Sequence, residues 1–183
     1  MGHEYEKHRR RSIRLKGYDY SQPGAYFVTI CTRNKEYLFG EIIDGKMMLN
    51  KVGEIVRDEW NRIPRIHKNA KLDEYVIMPN HLHGVIMITD ALMVSWQRVH
   101  KVGSFGKPVS GSLPTIIRCC KAAITSKINE LRQTPGLPVW QRNYYEHVIR
   151  GEEDLNEVRE YIINNPLKWD LDRENLANSE AQQ

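Results

Sequence analysis

Two histidines one residue apart, His81 and His83, are the side chains whose spacing most directly suggests chemistry in this chain. They lie in Tyr75–Ile88, Tyr-Val-Ile-Met-Pro-Asn-His-Leu-His-Gly-Val-Ile-Met-Ile, which is apolar at nearly every other position. Such a density of Val, Ile and Met predicts a strand buried on both faces. Side chains alternate along a strand, so His81 and His83 point the same way with Leu82 packed behind them. Paired imidazoles suit a metal ion; the plain alternative is two hydrogen-bonded histidines near a strand end. Tyr161 and Asn165 are four residues apart in a predicted helix and share one of its faces. If that face lies over the histidines, a metal gains two imidazoles and the Asn165 carbonyl oxygen, with Tyr161 beside it. The metal neutralises phosphate charge and the phenol attacks phosphorus in line. Neither residue argues this alone. The chain has nine tyrosines, and an asparagine before a proline commonly ends a helix. The combination carries the chemistry.

These groups need elements to hold them. Gly24–Thr32 is rich in β-branched and aromatic residues and predicts a strand. Leu38–Ile43 and Lys46–Leu49 flank Asp44-Gly45, a strong two-residue hairpin turn. Asn50 is placed to cap a helix carrying Val52, Val56, Trp60 and Ile63 on one face, ended by Pro64. Residues 90–112 lack periodicity and read as a long surface loop. Leu113-Pro114 opens a helix with an apolar stripe of Ile117, Cys120, Ile124, Ile128 and Leu131. Its other side carries Arg118, Lys121, Thr125 and Arg132. After a break at 134–138, Val139–Ile149 contains a short strand, placed at Glu146–Ile149. Gly151-Glu152-Glu153-Asp154 starts the last helix, its acids favoured by the helix dipole. Leu155, Val158 and Ile162 form its core stripe, and Asn165-Pro166 closes it. The tail after Trp169 is polar and expected to fray. Strand, hairpin, helix, strand, helix, strand, helix predicts an α+β sandwich, ferredoxin-like or RNA-recognition-like, with helices on a mainly antiparallel sheet.

The 183 residues suffice for one domain with a real core. We expect a basic arm at 1–16, one catalytic domain at 17–169 and a polar tail at 170–183. No apolar run approaches the ~18 residues of a membrane span, and no signal peptide opens the chain. The cysteines, Cys31, Cys119 and Cys120, are odd in number and two are adjacent. They make a poor disulfide framework, so a reducing cytoplasm is expected. The net charge is +4. It resides wholly in the arm, where Lys7, Arg9, Arg10, Arg11, Arg14 and Lys16 stand against Glu4 and Glu6. Such arms contact nucleic-acid backbones, or are simply solvated. The Arg118, Lys121, Arg132 face, which holds bases and no acid, is a second place for phosphate contact.

Several motifs in order carry a family resemblance. His81-Leu82-His83 matches the His-hydrophobe-His motif of single-tyrosine HUH endonucleases. Met78-Pro79-Asn80-His81-Leu82-His83-Gly84 closely resembles the REP-associated tyrosine transposases, relatives of the transposases of the smallest insertion sequences. Tyr161-Ile162-Ile163-Asn164-Asn165-Pro166 resembles the family's Tyr-Ile-x-x-Asn-Pro motif. Tyr18-Asp19-Tyr20 with Tyr26–Thr32, and Val139-Trp140-Gln141-Arg142 with His147–Arg150, also fit. The resemblance spans roughly residues 9–169. It implies a ferredoxin-like core acting on single-stranded DNA, often next to a hairpin, as a monomer or homodimer in the nucleoid-containing cytoplasm. It further implies that Tyr161 attacks a phosphodiester to give a 5′-phosphotyrosine link and a free 3′-OH. His81 and His83 take the metal-ligand roles. Asn165 takes the third, a glutamine in some insertion-sequence relatives. The implied ion is Mg²⁺ or Mn²⁺, since phosphate and amide supply hard oxygens.

Two rival readings use the same residues. One is a nucleic-acid-binding protein derived from a transposase but without catalysis. The other is a zinc hydrolase, for which a third protein ligand is required and His147 is the candidate.

Overall fold

The computed structural model describes residue 15 and residues 17–89 and 109–180. The six basic residues of the arm and most of the 90–112 loop lie outside the described residues.

Among the described residues, six strands and five α-helices follow one another. They are β1 (Gly24–Cys31), β2 (Gly40–Ile43), β3 (Lys46–Leu49), α1 (Lys51–Asn61), α2 (Ile63–Ile66), β4 (Ala70–Ile77), β5 (His81–Ile88), α3 (Leu113–Arg132), β6 (Tyr145–Ile149), α4 (Glu152–Asn164) and α5 (Leu176–Glu180). Strands β4-β5-β1-β6 form an antiparallel sheet in that order. β1 reaches β4 through α1 with β5 inserted between them, and β5 reaches β6 through α3 with β1 between. Two interleaved crossovers of this kind are the ferredoxin-like arrangement expected from the sequence.

Local sequence explains most of the elements. Asp44 (φ 49°) and Gly45 (φ 70°) are both left-handed, as a tight I′ hairpin turn requires, and β2 and β3 form a separate ribbon on either side. The Asn50 side chain accepts from the backbone N–H groups of Val52 (2.9 Å) and Gly53 (3.0 Å), capping α1. α1 stops at Asn61, before Pro64, which sits instead in the first turn of α2. On α3, Leu131 is half exposed and leaves the stripe, whereas Ile116 is fully buried.

Two expectations need correction. Tyr75–Ile88 is not one strand: β4 ends at Ile77, Met78-Pro79-Asn80 makes the turn, and β5 begins at His81. The turn holds because Met78 N–H donates to the His81 carbonyl at 2.8 Å. The segment after Trp169 does not fray among its described residues. A 3-10 helix spans Pro166–Leu171, and Asp172 and Asn175 are buried.

The sheet separates two apolar layers. Tyr26, Val28 and Ile30 of β1 join Leu82, Ile86 and Ile88 of β5 against Val56 and Trp60 of α1 and Ile117, Ile124 and Ile128 of α3. Residues of opposite parity, Phe27 and Val85, pack with Ile149, Leu155, Val158 and Ile162 under α4. His81 and His83 have this second parity, so they face the layer that carries Tyr161. α4 is tied across it by Arg159, whose Nε and Nη2 donate to Asp73 at 2.7 and 2.6 Å. The register of β4 breaks between Leu72 and Tyr75, where Asp73 lies. A bulge there re-aims a side chain in this way.

Candidate metal and tyrosine site

Register assembles the centre of the site. Cys31 pairs with His81 and Thr29 with His83 across β1 and β5. Both histidines are buried, and their Nε2 atoms are 2.9 Å apart. The Asn80 amide nitrogen donates to the Lys35 and Glu174 carbonyls at 3.0 and 2.7 Å. This fixes the amide so that its oxygen faces His81 Nδ1 at 2.8 Å. Nδ1 of His81 must therefore carry the proton, leaving Nε2 as a lone-pair donor. His83 Nδ1 meets the Thr29 hydroxyl at 2.9 Å, a partner that can donate or accept. Buried outer partners of this kind set the tautomer and aim of metal-binding histidines. Burial pushes the His81 imidazolium pKa down to about 4, against the opposing pull of Asp172 and Glu174. Burial, then neighbouring His81, drives His83 well below its ordinary value. Both rings are neutral at physiological pH.

The Tyr161 hydroxyl lies 3.2 Å from His83 Nε2, on a side chain 44% exposed. Its ring stands edge-on to Phe27 (6.0 Å between centroids), and Phe27 stacks on His83 at 5.4 Å. Burial raises the phenol pKa, and Asp172 adds to this; Arg173 and the Asn165 side chain oppose it.

Asn165 ends α4 beneath the tyrosine, buried. Its Nδ2 donates to Asp172 Oδ2 at 3.1 Å, while its Oδ1, also buried, accepts no hydrogen bond. Asp172 Oδ2 is 3.9 Å from His81 Nε2. Donor atoms of His81, His83 and Asp172 all lie within 4.8 Å of one another. Fit to a hard cation can be tested on these positions. Adjacent ligands about 2.1 Å from a small octahedral ion stand roughly 3 Å apart, and the two imidazole nitrogens are 2.9 Å apart. A carboxylate and an orphaned amide oxygen nearby supply the oxygen donors. The residues present fit a divalent metal ion.

His81, His83, Tyr161 and Asn165 are thus brought together. His147 is not with them: it shares their sheet face beside Phe27 on the edge strand β6, but its Nε2 is held by Asp154 of α4 at 2.9 Å. Arg118 and Arg132 are exposed on α3, across the sheet from the tyrosine. Lys121 donates to the Gln141 carbonyl at 2.6 Å and the Asn143 carbonyl at 3.3 Å. These bonds brace the segment that leads into β6, and burial lowers the lysine's pKa to about 8. Sequence reasoning missed Asp172, Thr29 and the role of Asn80. Asn80 adjoins His81 in the quoted motif, and Thr29 follows once β1 is paired with β5. Asp172 had no local signal.

No family model matches the chain. Over 169 residues it is 44% identical to an uncharacterized protein of Haemophilus influenzae (strain ATCC 51907 / DSM 11121 / KW20 / Rd), covering 91% of this chain and 93% of that one. The chain belongs to that protein's family. In three dimensions it is similar to a REP-associated tyrosine transposase solved bound to a REP hairpin. The TM-score is 0.56 at 19% identity, over 85% of this chain and 73% of the other. This likeness is one of fold. Among the described residues no helix is long and apolar enough to cross a membrane.

Proposed function

We propose that this protein is a metal-dependent, single-tyrosine DNA strand-transfer enzyme acting on single-stranded, hairpin-associated DNA. The observation that carries the reading is the Tyr161 hydroxyl 3.2 Å from His83 Nε2, beside a second imidazole on the same strand face. Likeness of fold to a transposase bound to a hairpin supports the substrate class. His81, His83 and Asp172 would hold the ion, with the free Asn165 Oδ1 as a further oxygen. When bound, a divalent ion supplies charge neutralisation at the phosphate. The Tyr161 oxygen attacks phosphorus in line, forming an O–P bond as the bond to the 3′ oxygen breaks. The products are a 5′-phosphotyrosine and a 3′-hydroxyl. Reversal with another 3′-hydroxyl rejoins strands without an external energy source. Phe27 fixes the direction of attack by holding both the Tyr161 and His83 rings. The basic arm, with Arg9, Arg10, Arg11, Arg14 and Lys16, supplies phosphate contacts.

The test is a covalent adduct. Hairpin DNA with single-stranded flanks, incubated with Mn²⁺ and resolved under denaturing conditions, is expected to yield a protein–DNA band. Tyr161→Phe should abolish the band while DNA binding stays within about twofold, since only one hydroxyl is lost. A wild-type yield of adduct from Tyr161→Phe would rule out this nucleophile.

The clustering of Asp172 with the two histidines favours a second reading, a zinc hydrolase with three protein ligands. Hydrolysis that depends on Zn²⁺ and survives Tyr161→Phe would select it.

A further inference from the structure

The face of the sheet beside Tyr161 carries a second half-exposed aromatic that the proposed chemistry does not use. Tyr145 is the first residue of β6, the edge strand of the sheet, and is 44% exposed. Thr29 pairs with both Tyr145 and His83, so the three form one row across the sheet. Two strand spacings place Tyr145 about 10 Å from His83 along that row. Phe27 connects Tyr145 to the nucleophile. Its ring centroid is 6.3 Å from Tyr145 and 6.0 Å from Tyr161, nearly edge-on to each. The Tyr145 ring is therefore oriented by packing on Phe27 without being covered.

Above the Tyr145 ring stands the guanidinium of Arg173, 5.5 Å from the centroid. This side chain is 68% exposed, and among the described residues it pairs with Glu174 at 3.4 Å. The separation exceeds ordinary van der Waals contact of about 3.5–4.0 Å. A base is about 3.4 Å thick, so a ring and a guanidinium stacked on its two faces stand about 6.8 Å apart. The exposed Arg173 side chain has solvent to move into to make that room. Unpaired bases are held on tyrosine rings and guanidinium planes in this manner.

We propose that Tyr145 and Arg173 form a slot for one nucleobase of a single DNA strand, holding the nucleotide beside the phosphate presented to Tyr161. The position of the phosphate rests on the function proposed above; the stacking itself does not. Stacking tolerates any base, so the slot positions the strand and does not read sequence. Tyr145 is a positioning residue.

The experiment uses a DNA hairpin whose single-stranded tail carries 2-aminopurine at one position at a time, bound to Tyr161→Phe protein so that no cleavage intervenes. One tail position is expected to change its emission severalfold on binding. Adding Tyr145→Ala should remove that change, Tyr145→Trp should keep it, and Arg173→Ala should weaken it. In the protein that retains Tyr161, Tyr145→Ala should raise the DNA concentration for half-maximal adduct formation by roughly 5- to 150-fold, the worth of one stacked base. Saturating yield and thermal stability should change little. Emission at every position insensitive to Tyr145→Ala, with DNA still bound, overturns the slot. So does a Tyr145→Ala effect confined to the melting temperature. Tyr145-dependent emission without any adduct from the wild type keeps the slot and overturns the cleavage reading. Failure to bind the hairpin or an unstructured strand overturns both.

Discussion

Replacing Gly84 by alanine tests the packing that holds His83 in place. Gly84 follows His83 on β5 and faces the layer under α1 and α3. A Cβ built there would stand 2.5 Å from Trp60 Cζ2 and 3.1 Å from Tyr75 Cβ. Carbon–carbon contact is optimal near 3.5–4.0 Å, so the overlap with Trp60 is about an ångström. Trp60 is fully buried and has nowhere to retreat. Overpacking of this kind costs about 1–3 kcal/mol. Against it, alanine restricts the unfolded chain and returns about 0.4–1 kcal/mol, since Gly84 has no positive φ. The net loss is roughly 0–2.6 kcal/mol. With a urea slope of about 2 kcal/mol per molar, the midpoint should fall by up to about 1.3 M. Gly24→Ala is the control, because its Cβ would meet Tyr26 Oη at an ordinary 3.6 Å. Urea unfolding followed by tryptophan fluorescence reports both, and Trp60 is itself the displaced group. A Gly84→Ala midpoint at or above that of Gly24→Ala would refute the reasoning.

Other consequences follow from the site and the arm. His81→Ala and His83→Ala should each weaken Mn²⁺ binding by at least about tenfold in calorimetry, Asp172→Ala by about as much, and Asn165→Ala less, with rescue at excess metal; unchanged affinity in His81→Ala would remove the proposed coordination. In metal-free buffer, acid should destabilise the fold. The unfolded chain protonates His81 near 6.5, whereas the folded one resists until about 4. Between those values the unfolded state binds more protons, so stability is greatest above pH 6.5 and falls as pH drops, by up to about 3 kcal/mol. His81→Asn should flatten the urea midpoint between pH 6.5 and 4, and an equally steep fall in that variant would count against the buried neutral imidazole. Deleting residues 1–16 should flatten the dependence of log K on log salt by about 2 to 4 units if three or four arm residues contact phosphate; unchanged slopes on hairpin and unrelated DNA would make the arm a solvated tail.

What could be read from the sequence divides along physical lines. Elements set by local chemistry were legible: the Asp44-Gly45 turn, the Asn50 cap, Pro114 at the start of α3, and the Tyr161–Asn165 helical spacing. The strand pair in Tyr75–Ile88 was hidden because its turn is made of Met78, Pro79 and Asn80, flanked by apolar residues on both sides. Periodicity cannot mark a boundary where the end of one strand, Tyr75–Ile77, and the start of the next are both nearly continuous apolar runs. Leu131 matched a helical stripe, yet the partner surface ends before it, and only tertiary packing decides that. Asp172 was invisible for a related reason. It reaches the histidines through the 3-10 turn after Pro166, and its flanking residues look like solvated tail. Lys121 shows the converse, since a basic residue on an outer helix face turns out to be spent on carbonyls of the Gln141–Asn143 segment.

The two halves of the site sit on elements of unequal permanence. β5 is paired on both edges and buried on both faces, so amides around His81 and His83 should exchange with solvent only when the whole molecule unfolds. α4, by contrast, buries Ile162 fully and leans on the sheet through Leu155, Val158 and the Arg159–Asp73 fork. Its amides should exchange through a smaller, local opening, well below the global limit. The imidazoles would then be a fixed anvil, and the tyrosine a hammer that can lift with its helix while the rest of the protein stays folded. In the reaction proposed above, a strand attached to Tyr161 would be carried away from one cut end and returned to another without the fold having to come apart.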